Sequence, residues 1–396
     1  MLARHQAFFY SLFVSRLADQ ILLFLVPLVI FQTTRQVSWS GMAFAIEALP
    51  RYLCFPFLGL LCDRHAPTRL LHVSQSFRAL TCVLGIGAYT LWGGIGWLIG
   101  LSALCGMLTS LGVVTREVML PQLFGGQRFE RVLSYAQLAD QLGLVLGPML
   151  AAQWLTWWHW QGIVVGAAGL FLAADMALAH WQRTSRFVPR QPAVAPRRWR
   201  DELGAAFGHI ARLPALRALV MLAAAENLII GVTLATSAAM VNGIHGQTAA
   251  VYAGLQAAGA GATVAVLLVT ARWTGPRHLL GLTGFAAILL GALATAMSPG
   301  IAGYAIGFVL IVGFDKMFSV YIRGARQRVI PADDYGKTTG MIIFLNNLTQ
   351  PLAGLGVALF ARPLGTRPLL LLLTLAMALL GALAAPKGLA NERSGK

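Results

Sequence analysis

Long apolar segments alternate with short polar stretches along most of the chain. Each apolar segment holds roughly 17 to 25 residues, enough for a helix with a rise of about 1.5 Å per residue to cross the ~30 Å hydrocarbon core of a bilayer. The pattern predicts an all-α integral membrane protein. Its twelve predicted membrane-spanning helices cover residues 7–31, 40–61, 70–91, 97–114, 132–154, 161–178, 218–240, 249–269, 278–297, 301–322, 339–361 and 368–384.

Composition agrees with a multi-pass membrane protein. Of the 396 residues, 57% are hydrophobic and only 11% are charged, whereas an average soluble domain has about 25% charged residues. The formal net charge of +16 does not indicate nucleic-acid binding, because the basic residues fall on alternate loops in the positive-inside pattern. That alternation predicts that both termini are cytoplasmic. The short loops suit a bacterial inner membrane.

Two six-helix bundles joined by a basic linker are predicted. Residues 1–181 form the N-terminal bundle, residues 182–213 the cytoplasmic linker, and residues 214–396 the C-terminal bundle with a short tail. Apolar residues recur at helical spacing over 199–213. This part of the linker is predicted either to lie along the cytoplasmic membrane surface or to be a solvated connector. Since one chain supplies both bundles, we expect a monomer.

The first span carries three polar residues near its middle, Arg16, Asp19 and Gln20. An ionised group at mid-membrane costs at least about 2.5 kcal/mol on insertion scales, so these side chains must face water, a protein seam or a substrate path. At helical spacing Arg16 lies beside the other two. The polar face is the leading candidate for a working site. The alternative is an Arg16–Asp19 pair that neutralises itself and fixes one helix against another.

An internal repeat links the two halves of the chain. Asp19-Gln20 in the first span corresponds to Glu226-Asn227 in the seventh, and Asp140-Gln141 in the fifth corresponds to Asn346-Asn347 in the eleventh. The offsets between these pairs are 207 and 206 residues. Two polar pairs at nearly one offset indicate a duplicated six-helix unit, an arrangement that many transporters use with the substrate site between the repeats.

Further ionisable residues within the spans complete the candidate site. We expect Asp19 and Glu226 to bind a proton or a cationic substrate group, and Arg16 and Arg51 to hold an anionic one. Asp315 and Lys316 are adjacent in the sequence, so their side chains are expected to point to different sides. The predicted substrate- or proton-binding residues are Arg16, Asp19, Gln20, Glu47, Arg51, Glu226, Asn227, Asp315, Lys316, Asn346 and Asn347.

The loop between the second and third spans carries a recognisable motif. Gly59, Asp63, Arg64 and Arg69 match motif A of the major facilitator superfamily, although Ala66 replaces its second glycine and Thr68 one of its basic residues. With its twelve spans, the chain resembles that superfamily over essentially its whole length. The resemblance implies two pseudo-symmetric six-helix bundles. It also implies that Asp63 and Arg64 tie cytoplasmic helix ends together in the outward-facing state, with Glu117 as their partner.

The fifth span adds a second resemblance. Gly143, Gly147 and Pro148 match the core of the superfamily's antiporter motif C, and Asp140 precedes them as an expected helix-seam or gating residue. Small residues of this kind let helices approach closely. The first span is similar to the exporter branch that includes the enterobactin exporter. The predicted fourth span lacks the arginine of motif B, so that proton-linked residue cannot be carried over.

The resemblance implies a secondary active transporter that exports a small amphipathic or zwitterionic organic molecule by proton antiport and alternating access. Such a molecule would be a drug-like compound, a siderophore or a metallophore. An importer of a siderophore-like nutrient has the same architecture, and a transporter-like sensor or a membrane enzyme is a further alternative. The sequence shows no metal-ligand spacing, no nucleophile with a matching base and no phosphate-binding loop. We therefore expect no enzymatic activity, no metal and no cofactor other than a proton gradient.

Overall fold

The protein is helical throughout the part of the chain that the structure describes. This structure is a computed structural model that describes residues 5–34, 50–94, 96–124, 128–185 and 198–393, and these residues contain no β-strand. The helices of the first half are α1 (Gln6–Thr34), α2 (Phe55–Arg64), α3 (Pro67–Trp92), α4 (Gly96–Leu123), α5 (Phe129–Trp154) and α6 (Trp160–Ser185).

The second half repeats the pattern after one shorter helix. Its helices are α7 (Trp199–Arg212), α8 (Pro214–Ala238), α9 (Ala249–Arg272), α10 (Arg277–Met297), α11 (Ile301–Val329), α12 (Tyr335–Leu364) and α13 (Thr366–Arg393). A π-helical turn, Ala239–Ile244, follows α8, and a 3-10 turn, Ala332–Asp334, precedes α12. Local sequence sets several helix starts. Proline occupies the first turn of α2, α3 and α8, where its missing N–H is not needed.

The predicted fold class is confirmed. Each predicted span corresponds to one of α1–α6 or α8–α13, although only the later part of the second span lies within the described residues. Seven of the described helices are long and apolar enough to cross a membrane, by length and composition alone. The remaining short helix, α7, is the one that the linker sequence predicts.

The end of the fourth span differs from the prediction. Helix α4 continues to Leu123 and α5 starts at Phe129, so most of the polar loop predicted after residue 114 is helical. Arg116 and Glu117 are buried inside α4. Periodicity alone places a helix end at the first charges, but buried charges are tolerated where they meet opposite charges. The fourth helix therefore also contains Arg116, which lies beyond the predicted end of the span, and the absence of the motif B arginine from residues 97–114 stays a prediction.

The chain forms two compact units. Unit 1 contains residues 1–127, 136–203 and 333–341, and unit 2 contains residues 128–135, 204–332 and 342–396. Each unit therefore contains a short segment from the opposite half of the sequence. The two exchanged segments start 205 residues apart and end 206 residues apart, close to the offset of the internal repeat. The exchange therefore involves equivalent positions of the two repeats, the starts of α5 and α12.

Each unit has its own apolar core. In unit 1, α1 packs against α4 and α6, and α3 packs against the same two helices. Its core includes Leu25 and Phe171, both fully buried. In unit 2, α11 packs against α9 and α10, and α13 packs against α8 and α10. Ile288 and Phe318 lie in that core. These contacts fix the helices that carry the polar residues described next.

Candidate functional site

A buried ion pair joins α1 and α3 inside unit 1. Arg78 Nη1 lies 2.7 Å from Asp19 Oδ1, and the side chains of the two residues are only 3% and 10% exposed. The same carboxylate oxygen accepts a hydrogen bond from Thr109 Oγ1 at 2.7 Å. Arg78 also donates to Ser15 Oγ at 2.9 Å and to the Ser74 carbonyl oxygen at 3.1 Å. Asp19 therefore belongs to a network that spans three helices.

A second ion pair joins α4 to α5. Arg116 donates from Nη1 and Nη2 to the two carboxylate oxygens of Asp140, both at 2.7 Å. This bidentate geometry is the strongest form of an arginine–carboxylate contact. It accounts for the burial of Arg116 and gives Asp140 a contact at a helix seam, the position expected for it.

Arg16 lies beside these pairs, but its hydrogen bonds go to a neutral group. With the Gln20 amide oriented so that its oxygen faces Arg16, that oxygen accepts from Nη1 at 3.2 Å and from Nη2 at 3.1 Å. The Arg16 Nε is buried without a hydrogen-bond partner. The self-neutralising Arg16–Asp19 alternative is not the arrangement found, because Asp19 binds Arg78 instead.

Two adjoining cavities collect the polar side chains of the first span. Arg16 and Asp19 line both of them. The first cavity is also lined by Gln20, Arg51, Ser102, Cys105 and Thr109. The second is also lined by Ser15, Gln75, Arg78, Thr109, Arg116 and Asp140. The structure thus brings together five residues predicted from the sequence, Arg16, Asp19, Gln20, Arg51 and Asp140. Glu47 lies outside the described residues.

Two glycines of α5 pack directly against the polar face of α1. A β-carbon added to Gly143 would lie 2.8 Å from the Arg16 Cγ, and one added to Gly147 would lie 2.5 Å from the Gln20 Cβ. Contacts this short leave no room for a side chain. Pro148 follows within the same helix. The small residues of the fifth span therefore set the distance between α5 and the very residues that line the cavities.

A carboxyl pair lies within unit 2. Glu226 on α8 is buried, its Oε1 has no hydrogen-bond partner, and the Asp315 carboxyl group on α11 is a close electrostatic neighbour. Lys316 forms an ion pair with Asp315, so the expectation that these neighbours point to different sides is wrong. The long lysine side chain bends back to the adjacent carboxylate. Two neighbouring buried carboxyl groups repel each other when both are ionised, which makes this pair a candidate place for holding one proton.

The three predicted asparagines are less involved. Asn227 donates to the Ala223 carbonyl oxygen of its own helix at 2.8 Å. Asn346 and Asn347 are half-buried in α12, and the Asn346 side-chain oxygen is buried without a hydrogen-bond partner. This hydrogen bond does not join Asn227 to the carboxyl pair, so the role of Asn227 stays a prediction.

The loop after α2 contacts the start of α12, and both segments belong to unit 1. Asp63 Oδ1 and Oδ2 accept hydrogen bonds from the backbone N–H groups of Gly336 and Lys337, both at 2.8 Å. A carboxylate that receives the first N–H groups of a helix is an N-terminal cap. Burial raises the pKa of Asp63 to about 7, and the two N–H donors only partly oppose this. Gly59 has no room for a β-carbon against the Gly336 carbonyl oxygen.

Arg64 binds the linker helix α7. Its Nη2 lies 3.1 Å from Glu202 Oε2, and its guanidinium carbon lies 5.1 Å from the centre of the Trp199 ring. Both partners belong to unit 1. Arg69 is exposed, whereas Glu117 is buried. The proposed partnership of Glu117 with the loop stays a prediction.

The exchanged segment of unit 2 is held by a comparable contact. Glu130, in the first turn of α5, is buried and lies 3.1 Å from Arg277 Nε and 3.2 Å from Arg328 Nη1. Arg131 donates to the Ala271 carbonyl oxygen at 2.9 Å. Each unit therefore secures the start of a helix from the other repeat with charged hydrogen bonds, but with different residues.

Sequence reasoning missed the two arginines that balance the acids. Arg78 is buried, pairs with Asp19 and lies 4.5 Å from the Phe171 ring centre. Arg116 lies beyond the predicted end of the fourth span. For Arg78 the available signal was a cation within an apolar segment, which implies a buried acid nearby. The pairing itself depends on neighbouring helices that are distant in sequence.

Comparisons with known proteins agree with this architecture. A sequence profile described as the Major Facilitator Superfamily matches residues 8–354. No curated protein matches the chain.

Solved structures share the fold. A bacterial homologue of the iron transporter ferroportin, in its outward-facing state with soaked iron, has a TM-score of 0.74 at 16% identity and covers 96% of this chain and 98% of its own. The human organic anion transporter MFSD10 has a TM-score of 0.76 at 14% identity, with 96% and 98% covered. The E. coli fucose:proton symporter FucP has a TM-score of 0.73 at 13% identity, with 97% of each chain covered. At these identities the likeness concerns the fold alone.

Proposed function

We propose the function from one premise: the chain belongs to the major facilitator superfamily. It is therefore a multi-pass membrane transporter of that superfamily. We propose further that it exports a small amphipathic or zwitterionic organic molecule, such as a drug-like compound or a siderophore, by proton antiport and alternating access. Its location would be a bacterial inner membrane, with both termini in the cytoplasm and a single chain as the working unit.

The observation that carries this proposal is the charged lining of the unit 1 cavities. Arg16, Asp19, Arg78, Arg116 and Asp140 lie together within apolar helices. Each ionised group at mid-membrane costs roughly 2.5–3.5 kcal/mol on insertion scales. A bundle that only needed packing would be more stable with apolar side chains in these places. Charges of both signs around a cavity favour an organic substrate that carries polar groups over a purely apolar one.

Proton coupling is assigned to the carboxyl pair of unit 2. Glu226 and Asp315 are close electrostatic neighbours, and Lys316 forms an ion pair with Asp315. Releasing a proton held by the two carboxyl groups would leave two neighbouring carboxylates balanced by one lysine. Asp19, the other carboxylate first considered for this role, already binds Arg78 and Thr109. We therefore place the proton on Glu226 and Asp315 and give Asp19 the task of holding Arg78.

The gating roles follow from two close contacts. The cap that Asp63 forms on α12 would hold the cytoplasmic side closed, as the resemblance of its loop to motif A implies. Gly143 and Gly147 would keep α5 against α1 and so limit leakage past Arg16 and Gln20.

Export is favoured by the resemblance of Gly143, Gly147 and Pro148 to the antiporter motif. Import of a siderophore-like nutrient is the second candidate, because an importer has the same architecture as an exporter. The two directions make opposite predictions for the same compound.

Comparison of strains that lack or overproduce the protein tests both direction and substrate. Small molecules in the medium and in the cells are measured for each strain. An exporter leaves one compound depleted from the medium and retained in cells of the deletion strain, and Glu226→Gln fails to restore its release. The exposed Arg183→Gln variant is the matched control and restores release. The opposite distribution of the compound would establish import, and no difference in any compound would refute transport by this chain.

A further inference from the structure

The charged residues that line the two cavities of unit 1 make the proposed function more specific. Among the described residues that line them, four are arginines, Arg16, Arg51, Arg78 and Arg116, and two are aspartates, Asp19 and Asp140. The described part of the lining thus contains two more arginines than aspartates. Unit 2 differs, because its buried group is a carboxyl pair with one lysine. The repeat has therefore diverged into a cationic site in one unit and an acidic site in the other.

The contacts show which arginine is available for a ligand. Both aspartates are already bound, Asp19 by Arg78 and Asp140 by Arg116, with distances of 2.7 Å. Arg16 lies near both acids but donates to the neutral Gln20 amide. Its Nε is buried, faces no acceptor, and belongs to a side chain that lines both cavities. A buried guanidinium without a carboxylate of its own is costly unless another anion neutralises it.

The position of Arg16 is fixed from the opposite side. Gly143 of α5 leaves no room between that helix and the Arg16 side chain, and Gln20 holds the two terminal nitrogens. A guanidinium held in this way presents a planar fork of donors, which matches a carboxylate or phosphate oxygen pair. The preorganised fork lowers the entropy that a ligand loses on binding.

We infer that Arg16 binds an acidic group of the transported molecule, so that the substrate is an organic anion or carries an anionic end. The inference rests on the proposed transport function, which it makes more specific. Gln20 acts as a positioning residue, and the ion pairs of Arg78 and Arg116 keep the two aspartates from occupying the Arg16 fork. An apolar portion of the ligand would lie along Leu22 and Leu23, which line the first cavity.

Three probes of one shape test the inference on the full-length protein in lipid nanodiscs. They are 1-naphthoate, the neutral 1-naphthamide and the cationic 1-naphthylmethylammonium ion. Ligand-induced thermal stabilisation reports binding, since any ligand that prefers the folded state stabilises it. We expect naphthoate to bind at least about tenfold more tightly than naphthamide, because one charge-assisted hydrogen-bond pair is worth that factor or more. The ammonium probe should bind no better than the amide.

Variants of Arg16 provide the discriminating result. Arg16→Gln should abolish the preference for naphthoate, Arg16→Lys should retain part of it, and the exposed Arg183→Gln control should retain all of it. If Arg16→Gln does not fold, competition on the unaltered protein serves instead, and inorganic phosphate should displace naphthoate but not naphthamide. Equal binding of the acid and the amide, failure of naphthoate to bind, or an unchanged preference in Arg16→Gln would overturn the inference.

Transport measurements separate this inference from the proposed function. A compound that the strain comparison identifies but that carries no acidic group would refute the anion site while leaving transport intact. Selective binding of naphthoate through Arg16 without any transported compound would leave the site intact and refute transport.

Discussion

Replacing Arg78 by methionine while Asp19 remains is expected to destabilise the protein strongly. The guanidinium binds the carboxylate at 2.7 Å, and the two side chains are only 3% and 10% exposed. Removing one partner of such a buried pair leaves an uncompensated charge and typically costs about 3–5 kcal/mol. Thr109 Oγ1 still donates to the carboxylate, which places the expected loss near 3 kcal/mol, the lower end of that range.

A double-mutant cycle isolates the interaction from the change of side chain. Arg78→Met and Asp19→Asn are each measured alone and together by equilibrium unfolding in detergent micelles. The double variant should be more stable than the sum of the single losses predicts, with a coupling energy of about 1–3 kcal/mol. Arg183→Met, an arginine substitution at an exposed site of α6, is the matched control and should change stability by less than about 0.5 kcal/mol.

Additive losses would refute this reasoning. If the two single changes sum to the double change within about 0.5 kcal/mol, the residues do not interact in the folded protein. Asp19 would then be available to bind the proton, as the sequence predicts. The assignment of proton binding to Glu226 and Asp315 in unit 2 would be refuted.

Two further predictions concern the close contacts. Gly147→Ala should lower the midpoint of thermal unfolding, because overpacking of a helix contact costs about 1–3 kcal/mol. The control Gly169→Ala, with no atom within 4 Å of its added methyl, should leave the midpoint unchanged or raise it. Equal midpoints for the two variants would contradict the close contact between α5 and α1. For Asp63, a pKa raised by burial from 3.8 to about 7 means that the folded state holds the proton more tightly. As the pH rises from 3.8 to about 7, the free energy of unfolding of the parent relative to Asp63→Asn should therefore fall by about 1 kcal/mol per pH unit, and it should level off at higher pH. Unfolding measured over this pH range checks the prediction. A difference that stays constant or rises with pH would refute the raised pKa of Asp63.

Equivalent positions of the two repeats differ in their chemical surroundings. Asp19 and Glu226 lie at matching places in the two halves, yet the first is held by an arginine and the second lies near another carboxyl group. The neighbours that cause this difference are Arg78 on α3 and Asp315 on α11. A duplicated backbone thus supplies two buried sites whose electrostatics diverge through side chains on adjacent helices.

The sequence alone predicted the fold class, a helix for each of the twelve spans and five of the polar residues that line the cavities. These properties depend on local information, because the length of an apolar run fixes a span and a charge inside it marks a position that cannot face lipid. The offset of Asp19 and Glu226 likewise revealed the repeat without any structure. Arg16, Gln20 and Arg51 were identified for the same reason, and the structure gathers them around one pair of cavities.

Only the tertiary structure decided which charges neutralise each other. Helical spacing puts Arg16 next to Asp19, yet the carboxylate binds Arg78, which is 59 residues away in the sequence. The reason is geometric: an arginine on a neighbouring helix reaches the carboxylate, while Gly143 leaves no room beside the Arg16 side chain. The exchange of the starts of α5 and α12 between the two units depends on contacts across the chain in the same way. The spacing of residues along the sequence shows which of them share a helix face, but the packing of the helices determines which residues that face contacts.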